Sequence, residues 1–270
     1  MPEIGPAGQE RLNAGRVLVI GAGGLGSPIL FGLAGAGIGR IGIVDADRVS
    51  ASNLNRQFLY TPADCGCLKA EVARDRIVAY HPDLQIEAYP ETLDESRAMR
   101  WFSDYDLVVG AVDNNKTRRI INAACCRLSL PWVDGGIQGF SGYAALIIPG
   151  KTPCFDCLFG LSGMPMPDTD HHADPGADPK SDPVGIVIQE RDAPKIHEPD
   201  KKRPGVLGVT AGVIGSLEAT LAIAYLLGLP DPLNGELFYY FGKQMTTSRI
   251  RIERSPDCPV CGSLFSTEES

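Results

Sequence analysis

The sequence has no excess of positive charge. Its 25 Lys and Arg residues are outnumbered by 33 Asp and Glu residues, and the formal net charge is -8 at pH 7. A protein body that binds nucleic acid usually presents a basic face to the phosphates. The composition therefore disfavours nucleic acid as a partner, although it leaves room for a local basic pocket.

A secretory signal and an uninterrupted membrane-length apolar run are also missing. No basic segment followed by an apolar stretch is present near Met1. The longest apolar stretch, from Val206 to Leu229, carries Glu218 near its middle, where a carboxylate would be costly in a bilayer. We expect this stretch to form a buried helix together with the segment that leads into it. We also expect the protein to be cytoplasmic, with no membrane partner.

Eight cysteines are present, but without a secretory signal disulfides are a poor explanation for them. Four of them form two C-x-x-C pairs about a hundred residues apart, a pattern typical of one tetrahedral zinc site. Four thiolates leave no open coordination position, so we expect a structural site; a redox-active or unligated pair is the alternative. The expected ligands are Cys154, Cys157, Cys258 and Cys261.

The first half of the chain alternates apolar runs with helical patterns. Val17–Ile20 ends in glycines, a helix is predicted from about Leu25 to Gly37, and a second strand covers Ile41–Val44, which makes one β-α-β unit. Such alternation predicts an α/β fold, with a Rossmann-like, doubly wound, mainly parallel sheet. Further helices are predicted at about 66–80, 94–102 and 115–129, and strands at 107–112 and 131–134.

The second half changes pattern. Strands are predicted at 143–148, 236–241 and 245–252 without helices between them, which indicates an antiparallel C-terminal extension of the sheet. Residues 160–204 contain eight prolines and are predicted to be a mobile loop. We interpret 1–270 as a single domain, with a nucleotide-binding half (1–135) and a substrate-binding and zinc half (136–270).

The glycine-rich segment Gly21-Ala-Gly-Gly-Leu-Gly26 follows the first strand and opens the first helix. Its backbone N–H groups can approach a phosphate at the helix N-terminus. Asp45 ends the second strand, where a carboxylate can accept both ribose hydroxyls. Taken alone, these features predict a nucleotide site, and NAD remains one possibility; a purely structural glycine turn is the other.

Two cations close behind Asp45 favour ATP over NAD. Arg56 and Lys69 suit a triphosphate, whose charge must be neutralised as pyrophosphate leaves, whereas a dehydrogenase has no need of them. Each would be an ordinary surface charge if it stood alone. Asp113 follows another strand and is a candidate magnesium ligand, with Asn114 beside it.

Together these segments resemble the HesA/MoeB/ThiF family, which is related to the ubiquitin-activating enzymes. The resemblance covers residues from about 5 to 262, apart from the 160–200 loop. It rests on Gly-Ala-Gly-Gly-Leu-Gly-Ser-Pro at 21–28, Ser-Asn-Leu-Asn-Arg-Gln at 52–57, Lys69 before Ala-Glu, Asp113-Asn114 and the two C-x-x-C pairs.

The resemblance implies an adenylation domain that uses ATP, with magnesium at the reaction centre and zinc as a structural ion. The implied substrate is the C-terminal Gly-Gly carboxylate of a small ubiquitin-like sulfur-carrier protein, which attacks the α-phosphorus to give an acyl-adenylate and pyrophosphate. A homodimer is implied as well. The expected catalytic residues are Arg56, Lys69 and Asp113, and the expected nucleotide-site residues are these three with Gly21, Gly23, Gly24, Gly26, Asp45, Asp47, Asn53, Gln57 and Asn114.

The sequence departs from the family pattern at two places. Many relatives have a cysteine shortly before a Gly-Val-x-Gly stretch, but residues 158–257 contain no cysteine. We therefore expect adenylation without a thioester on that loop, and sulfur supplied by another protein's persulfide if it is transferred. Relatives usually carry an Arg-rich segment ahead of the stretch that resembles Pro2–Gly5, and this sequence starts at that stretch. The segment either precedes this sequence or is missing from the enzyme; its loss would favour a noncatalytic role, which the presence of Arg56, Lys69 and Asp113 opposes.

These departures keep other functions open. The enzyme could adenylate a carboxylate of a peptide, a natural product or a tRNA base instead, or the chain could be a noncatalytic nucleotide-binding scaffold. Outside the two C-x-x-C pairs, Cys125 and Cys126 are expected to be core residues. Cys65 and Cys67 could be reactive near the phosphate site. His171 and His172 could bind a metal or contact the substrate, or could lie in a solvated loop.

Overall fold

Short apolar runs form a central sheet whose first strands are buried on both faces. In β1 (Arg16–Ile20), Val17 and Val19 pack into one hydrophobic core, while Leu18 and Ile20 pack into a second core on the opposite face. This alternation follows from the two-residue period of a strand. The computed structural model describes residues 1, 4–159 and 205–265.

The sheet has eight strands among the described residues. After β1 come β2 (Arg40–Val44), β3 (Gln85–Tyr89), β4 (Leu107–Gly110), β5 (Trp132–Gln138), β6 (Ser141–Ile147), β7 (Leu237–Phe241) and β8 (Thr246–Ile250). Their spatial order is β3-β2-β1-β4-β5-β6-β7-β8. The first five strands in this spatial order, from β3 at the edge to β5, pair in parallel with their neighbours. Strands β5, β6, β7 and β8 pair antiparallel.

Helices cover both faces of the sheet. The described helices are α1 (Gly5–Ala14), α2 (Gly26–Ala36), α3 (Lys69–Tyr80), α4 (Glu95–Phe102), α5 (Asn115–Leu128), α6 (Phe155–Phe159) and α7 (Gly208–Leu226). Helices α1, α2, α3 and α7 contribute to the first core, and α4, α5 and α6 contribute to the second. From β1 the chain adds β2 and β3 on one side of the sheet and then returns to add β4 and β5 on the other side. The strand order therefore reverses between β1 and β4.

The predicted architecture is confirmed: a doubly wound, mainly parallel half continues into antiparallel C-terminal strands. Several details differ. Sequence patterns missed α1 and β3, because both are rich in polar residues; in β3, for example, Gln85 and Glu87 interrupt the apolar pattern. Strand β4 ends at Gly110 rather than at residue 112, and β5 continues beyond residue 134 to Gln138.

Helix α7 is the described helix that is long and apolar enough to cross a membrane by length and composition. It packs instead against α2, β5 and β6, as the buried-helix prediction requires. Small residues permit the close approach: a Cβ at Gly215 would lie 2.6 Å from the Leu25 carbonyl oxygen, and one at Gly32 would lie 3.0 Å from Ala219 Cβ. The predicted loop at 160–204 lies outside the described residues.

The carboxyl group of Glu218 is fully buried beneath β5. It packs so closely on Gly135 that a Cβ there would lie 2.3 Å from Glu218 Cδ. Neither carboxyl oxygen has a hydrogen-bond partner among the described residues. Burial is the largest cause that raises the pKa of Glu218 well above its usual range, and the neighbouring Asp134 raises it further. Folding therefore favours the protonated acid.

Replacement of Glu218 by Gln should stabilise the protein increasingly as the pH rises. The folded state keeps a proton that the unfolded chain releases near its ordinary pKa of about 4.3, so the wild type loses stability above that pH, up to the raised pKa of the folded state. The difference in unfolding free energy between E218Q and the wild type should grow by up to ~1.4 kcal/mol per pH unit in this window. Urea denaturation of both proteins between about pH 5 and pH 8 measures it, and parallel pH profiles would contradict a protonated Glu218.

Candidate nucleotide site and cysteine cluster

A cavity of about 530 Å³ opens at the carboxyl ends of the central parallel strands. It lies where the strand order reverses, which is the usual ligand position in doubly wound sheets. Its lining includes most of the predicted nucleotide-site residues, namely Gly21, Gly23, Gly24, Asp45, Asp47, Arg56, Gln57, Lys69, Asp113 and Asn114. Gly26 and Asn53 were also predicted, but neither is among the residues that line the cavity.

The glycine loop is shaped by close backbone contacts. Gly21 has a φ of +100°, and a Cβ there would lie 2.4 Å from the Ala111 carbonyl oxygen. A Cβ at Gly26 would lie 2.2 Å from the Gly21 carbonyl oxygen. Gly26 therefore supports the turn from beneath rather than facing the cavity. Gly23 and Gly24 lie on the cavity side, beside the first turn of α2.

Asp45 organises this loop with both of its carboxylate oxygens. Oδ2 accepts a hydrogen bond from Ala22 N at 2.7 Å, and Oδ1 accepts one from Asp47 N at 2.8 Å. Burial raises the pKa of Asp45, while these backbone donors and Lys69 oppose the rise. The predicted contact with ribose hydroxyls would therefore use the remaining lone pairs of oxygens that already accept a backbone hydrogen bond.

Lys69 is buried and already has a carboxylate partner. Its Nζ lies 2.8 Å from Asp47 Oδ2, and the Lys69 side chain is 6% exposed whereas that of Asp47 is 74% exposed. The hydroxyl of buried Tyr60 donates its proton to the Ala22 carbonyl at 2.7 Å and lies 3.3 Å from the Lys69 carbonyl, which fixes the backbone around the lysine. The lysine is thus held at the cavity wall, and the solvent-exposed member of the ion pair is Asp47.

Arg56 and Gln57 lie against the glycine loop: a Cβ on Gly24 would lie 3.6 Å from Arg56 Cγ, and one on Gly23 would lie 3.4 Å from Gln57 Nε2. Half-buried Arg56 donates to the Ser52 carbonyl and to the Asn55 side chain. Gln57 is 4% exposed, and its Oε1 has no hydrogen-bond partner among the described residues. A buried orphan acceptor at a cavity wall indicates that a donor group belongs there.

Asp113 and Asn114 follow β4, but they do different things. Asp113 is exposed to the cavity, and its Oδ1 lies 3.5 Å from the side-chain nitrogen Nδ2 of Asn114. Asn114 is the N-cap of α5, where its Oδ1 accepts from Thr117 N at 2.8 Å. Helix capping therefore already uses the side-chain oxygen of Asn114, and Asp113 is the better placed of the two to hold a cation.

The sequence analysis missed Arg118, which also lines the cavity. Its side chain is 5% exposed and forms an ion pair with fully buried Asp134, with 3.1 Å between Nε and Oδ1. A signal was present in the sequence: Arg118 lies three and seven residues before Ile121 and Cys125, which places it on the apolar face of α5. A cation on a buried helical face calls for a buried anion.

The four cysteines of the C-x-x-C pairs meet in one buried cluster. All four sulfur atoms lie within 4.8 Å of one another. Tetrahedral Zn–S bonds of about 2.3 Å place sulfurs about 3.8 Å apart, and the recorded separations are 3.9 Å for Cys154–Cys157, 3.7 Å for Cys154–Cys258 and 3.6 Å for Cys157–Cys261. The donor set and its spacing fit a zinc ion.

The other cysteines divide as expected by burial. Cys125 lies in the second core, and Cys126 packs against the four-cysteine cluster. Cys65 and Cys67 are exposed on the turn before α3. His171 and His172 lie outside the described residues.

Comparisons with known proteins identify relatives along nearly the whole chain. The model of the ThiF family matches residues 1–260. The chain is 40% identical to a sulfur carrier protein adenylyltransferase of Thermus thermophilus, over 97% of this chain and 88% of that protein. It is 36% identical to the SAMP-activating enzyme E1 of Haloferax volcanii, over 97% of this chain and 86% of that protein.

Among solved structures, a crystal structure of Escherichia coli MccB with ATP superimposes with a TM-score of 0.72 at 22% identity, over 94% of this chain and 68% of that one. This likeness concerns the fold. The family match over nearly the whole chain, together with relatives at 36–40% identity, leads to one conclusion: the chain belongs to the ThiF family.

Proposed function

We propose that this protein is an adenylyltransferase that activates the C-terminal carboxylate of a small ubiquitin-like sulfur carrier. The observation that carries the proposal is the content of one cavity, where a glycine loop at a helix N-terminus faces two cations and an exposed carboxylate. Phosphates bind helix N-termini and cations, and the Thermus relative is itself named a sulfur carrier protein adenylyltransferase.

In the proposed reaction, a carboxylate oxygen attacks the α-phosphorus of ATP. A new P–O bond forms to the acyl group, and the bond between the α-phosphorus and the bridging oxygen breaks, with pyrophosphate carrying away the electron pair. Lys69 and Arg56 stabilise the negative charge on the phosphates. Since Lys69 is paired with Asp47, the triphosphate would replace Asp47 as its partner.

Magnesium fits beside Asp113, because Asp113 presents carboxylate oxygens to the cavity and hard cations prefer oxygen ligands. When bound, the ion would neutralise phosphate charge. The expected role of Asn114 is reduced by its capping bond to Thr117.

The carrier tail is proposed to enter at the end of the cavity away from Asp45. That end is lined by Gly136, Ile137 and Gln138 and by Gly205 and Val206. Because residues 158–257 contain no cysteine, the proposed product is the acyl-adenylate itself, without a thioester on that segment.

We further propose a cytoplasmic homodimer. Its interface would include the exposed apolar side chains at the start of α7, where Val209 and Val213 are 66% and 39% exposed, together with Phe58, which is 53% exposed. Phe58 lies beside this helix, 3.7 Å from the position of a Cβ on Gly212. Grouped exposed apolar residues of this kind mark contact surfaces.

Asp113→Ala should reduce carrier-dependent ATP–pyrophosphate exchange by on the order of 100-fold or more, because a cation ligand at the reacting phosphates is lost. Exchange is measured with a purified carrier ending in Gly-Gly, and then with peptides or tRNA. Asp104→Ala, at an exposed aspartate outside the cavity, is the matched control and should exchange at the wild-type rate.

Exchange by D113A close to that of the control would contradict the role of Asp113. No wild-type exchange with any carboxylate, in protein that binds ATP, would instead contradict the adenylation proposal and favour a scaffold. Exchange with a peptide or tRNA but not with the carrier would change the substrate class alone.

Cys258→Ser should abolish binding of one zinc equivalent and lower the melting temperature by on the order of 10 °C, because metal binding stabilises the folded state. Metal content by mass spectrometry and thermal unfolding measure the two effects. The matched control is Cys65→Ser, at an exposed cysteine outside the cluster, and this variant should bind one equivalent of zinc as the wild type does. A full equivalent of zinc in C258S would show that the cluster does not hold the ion.

A further inference from the structure

Arg118 sits where two parallel strands separate. The parallel ladder between β4 and β5 ends at the pair Gly110 and Asp134. Beyond it, β4 leaves the sheet towards Asp113, while β5 continues into its pairing with β6. Separating strands leave carbonyl groups without ladder partners, and a buried carbonyl needs a donor.

The guanidinium of Arg118 supplies such a donor both to the segment that follows β4 and to β5. Its Nη2 donates to the Val112 carbonyl at 2.6 Å and to the Gly135 carbonyl at 2.9 Å. Val112 directly precedes Asp113, and Gly135 directly precedes Gly136, so one nitrogen joins the two walls of the cavity that bear these residues.

The guanidinium is itself held in one orientation. Its Nε donates to Asp134 Oδ1 at 3.1 Å, and Asp134 Oδ2 accepts from Tyr143 OH at 2.9 Å. Arg118 is 4% exposed, Asp134 is 0% exposed and Tyr143 is 3% exposed. Their rotamers are therefore restricted by packing as well as by hydrogen bonds.

We infer that Arg118 is a positioning residue, which sets the distance between Asp113 at the end of β4 and the Gly136 wall of β5. This inference rests on the proposed adenylation reaction, because those two walls bear the proposed magnesium ligand and the proposed entry point of the carrier tail. Displacement of a reacting group by about 1 Å can reduce a rate by about 100-fold. Arg118 thus acts on the chemical step through Asp113, and it is not needed to bind the nucleotide at the glycine loop.

Lysine cannot reproduce this arrangement. A guanidinium presents several N–H donors in a rigid plane, whereas an ammonium is a point charge on a flexible stem. Arg118→Lys retains the positive charge beside Asp134 but loses the fixed geometry that joins Val112 to Gly135.

The test is carrier-dependent ATP–pyrophosphate exchange by full-length R118K, with kcat and the KM for ATP measured separately. We expect kcat to fall by about 10- to 100-fold while the KM for ATP stays within about threefold of the wild type. Tyr143→Phe, which removes only the hydroxyl bond to Asp134, should lower kcat in the same direction by a smaller factor. The matched control is Arg127→Lys, at an exposed arginine of the same helix, which should match the wild type.

Chemical rescue separates positioning from a folding defect. Arg118→Ala should lose exchange, and added guanidinium or methylguanidinium should restore part of kcat, whereas the same concentration of sodium chloride should not. An R118K kcat equal to that of R127K would overturn the inference, and so would a loss confined to the KM for ATP. If R118A is not rescued and also melts far below the wild type, Arg118 serves stability, and the inference fails. Absence of exchange in the wild type would instead overturn the proposed reaction.

Discussion

The contact between the end of β1 and the end of β4 is the constraint on which the nucleotide cavity depends. Ala111 N still donates to the Ile20 carbonyl at 2.8 Å, while Gly21 N turns away and donates to the Val44 carbonyl at 2.7 Å. The Ala111 carbonyl then occupies the space that a side chain at residue 21 would need. Only glycine permits this approach, and from here the loop leaves the sheet towards α2 and opens the cavity.

Charge around the cavity is organised in two layers. At its surface, Lys69 is paired with an exposed carboxylate that a triphosphate can replace. Behind one wall, Arg118 is paired with a fully buried carboxylate and with two backbone carbonyls. Exchangeable partners suit a group that must bind and release a ligand, and a closed buried network suits a group that must stay in place.

In the antiparallel half, a cluster of four cysteines connects distant parts of the chain. Cys154, directly before α6, and Cys157, within α6, meet Cys258 and Cys261, which lie after β8. This brings together parts of the chain about a hundred residues apart. Metal binding by all four would close this long loop. The far edge of the sheet, with its largely exposed strand β8, would then be tied to the body of the domain.

Local patterns in the sequence determined the β-α-β unit, the glycine loop, the two C-x-x-C pairs and the parallel-to-antiparallel change, because each depends on neighbouring residues or on fixed spacing. Tertiary structure alone decided the rest. Lys69 meets Asp47, and Arg118 joins the segment after β4 to β5. Strand β3 and helix α1 also escaped prediction, since their polar residues carry little periodicity. These features depend on which strands and helices lie side by side, and contacts between residues distant in sequence leave no local pattern.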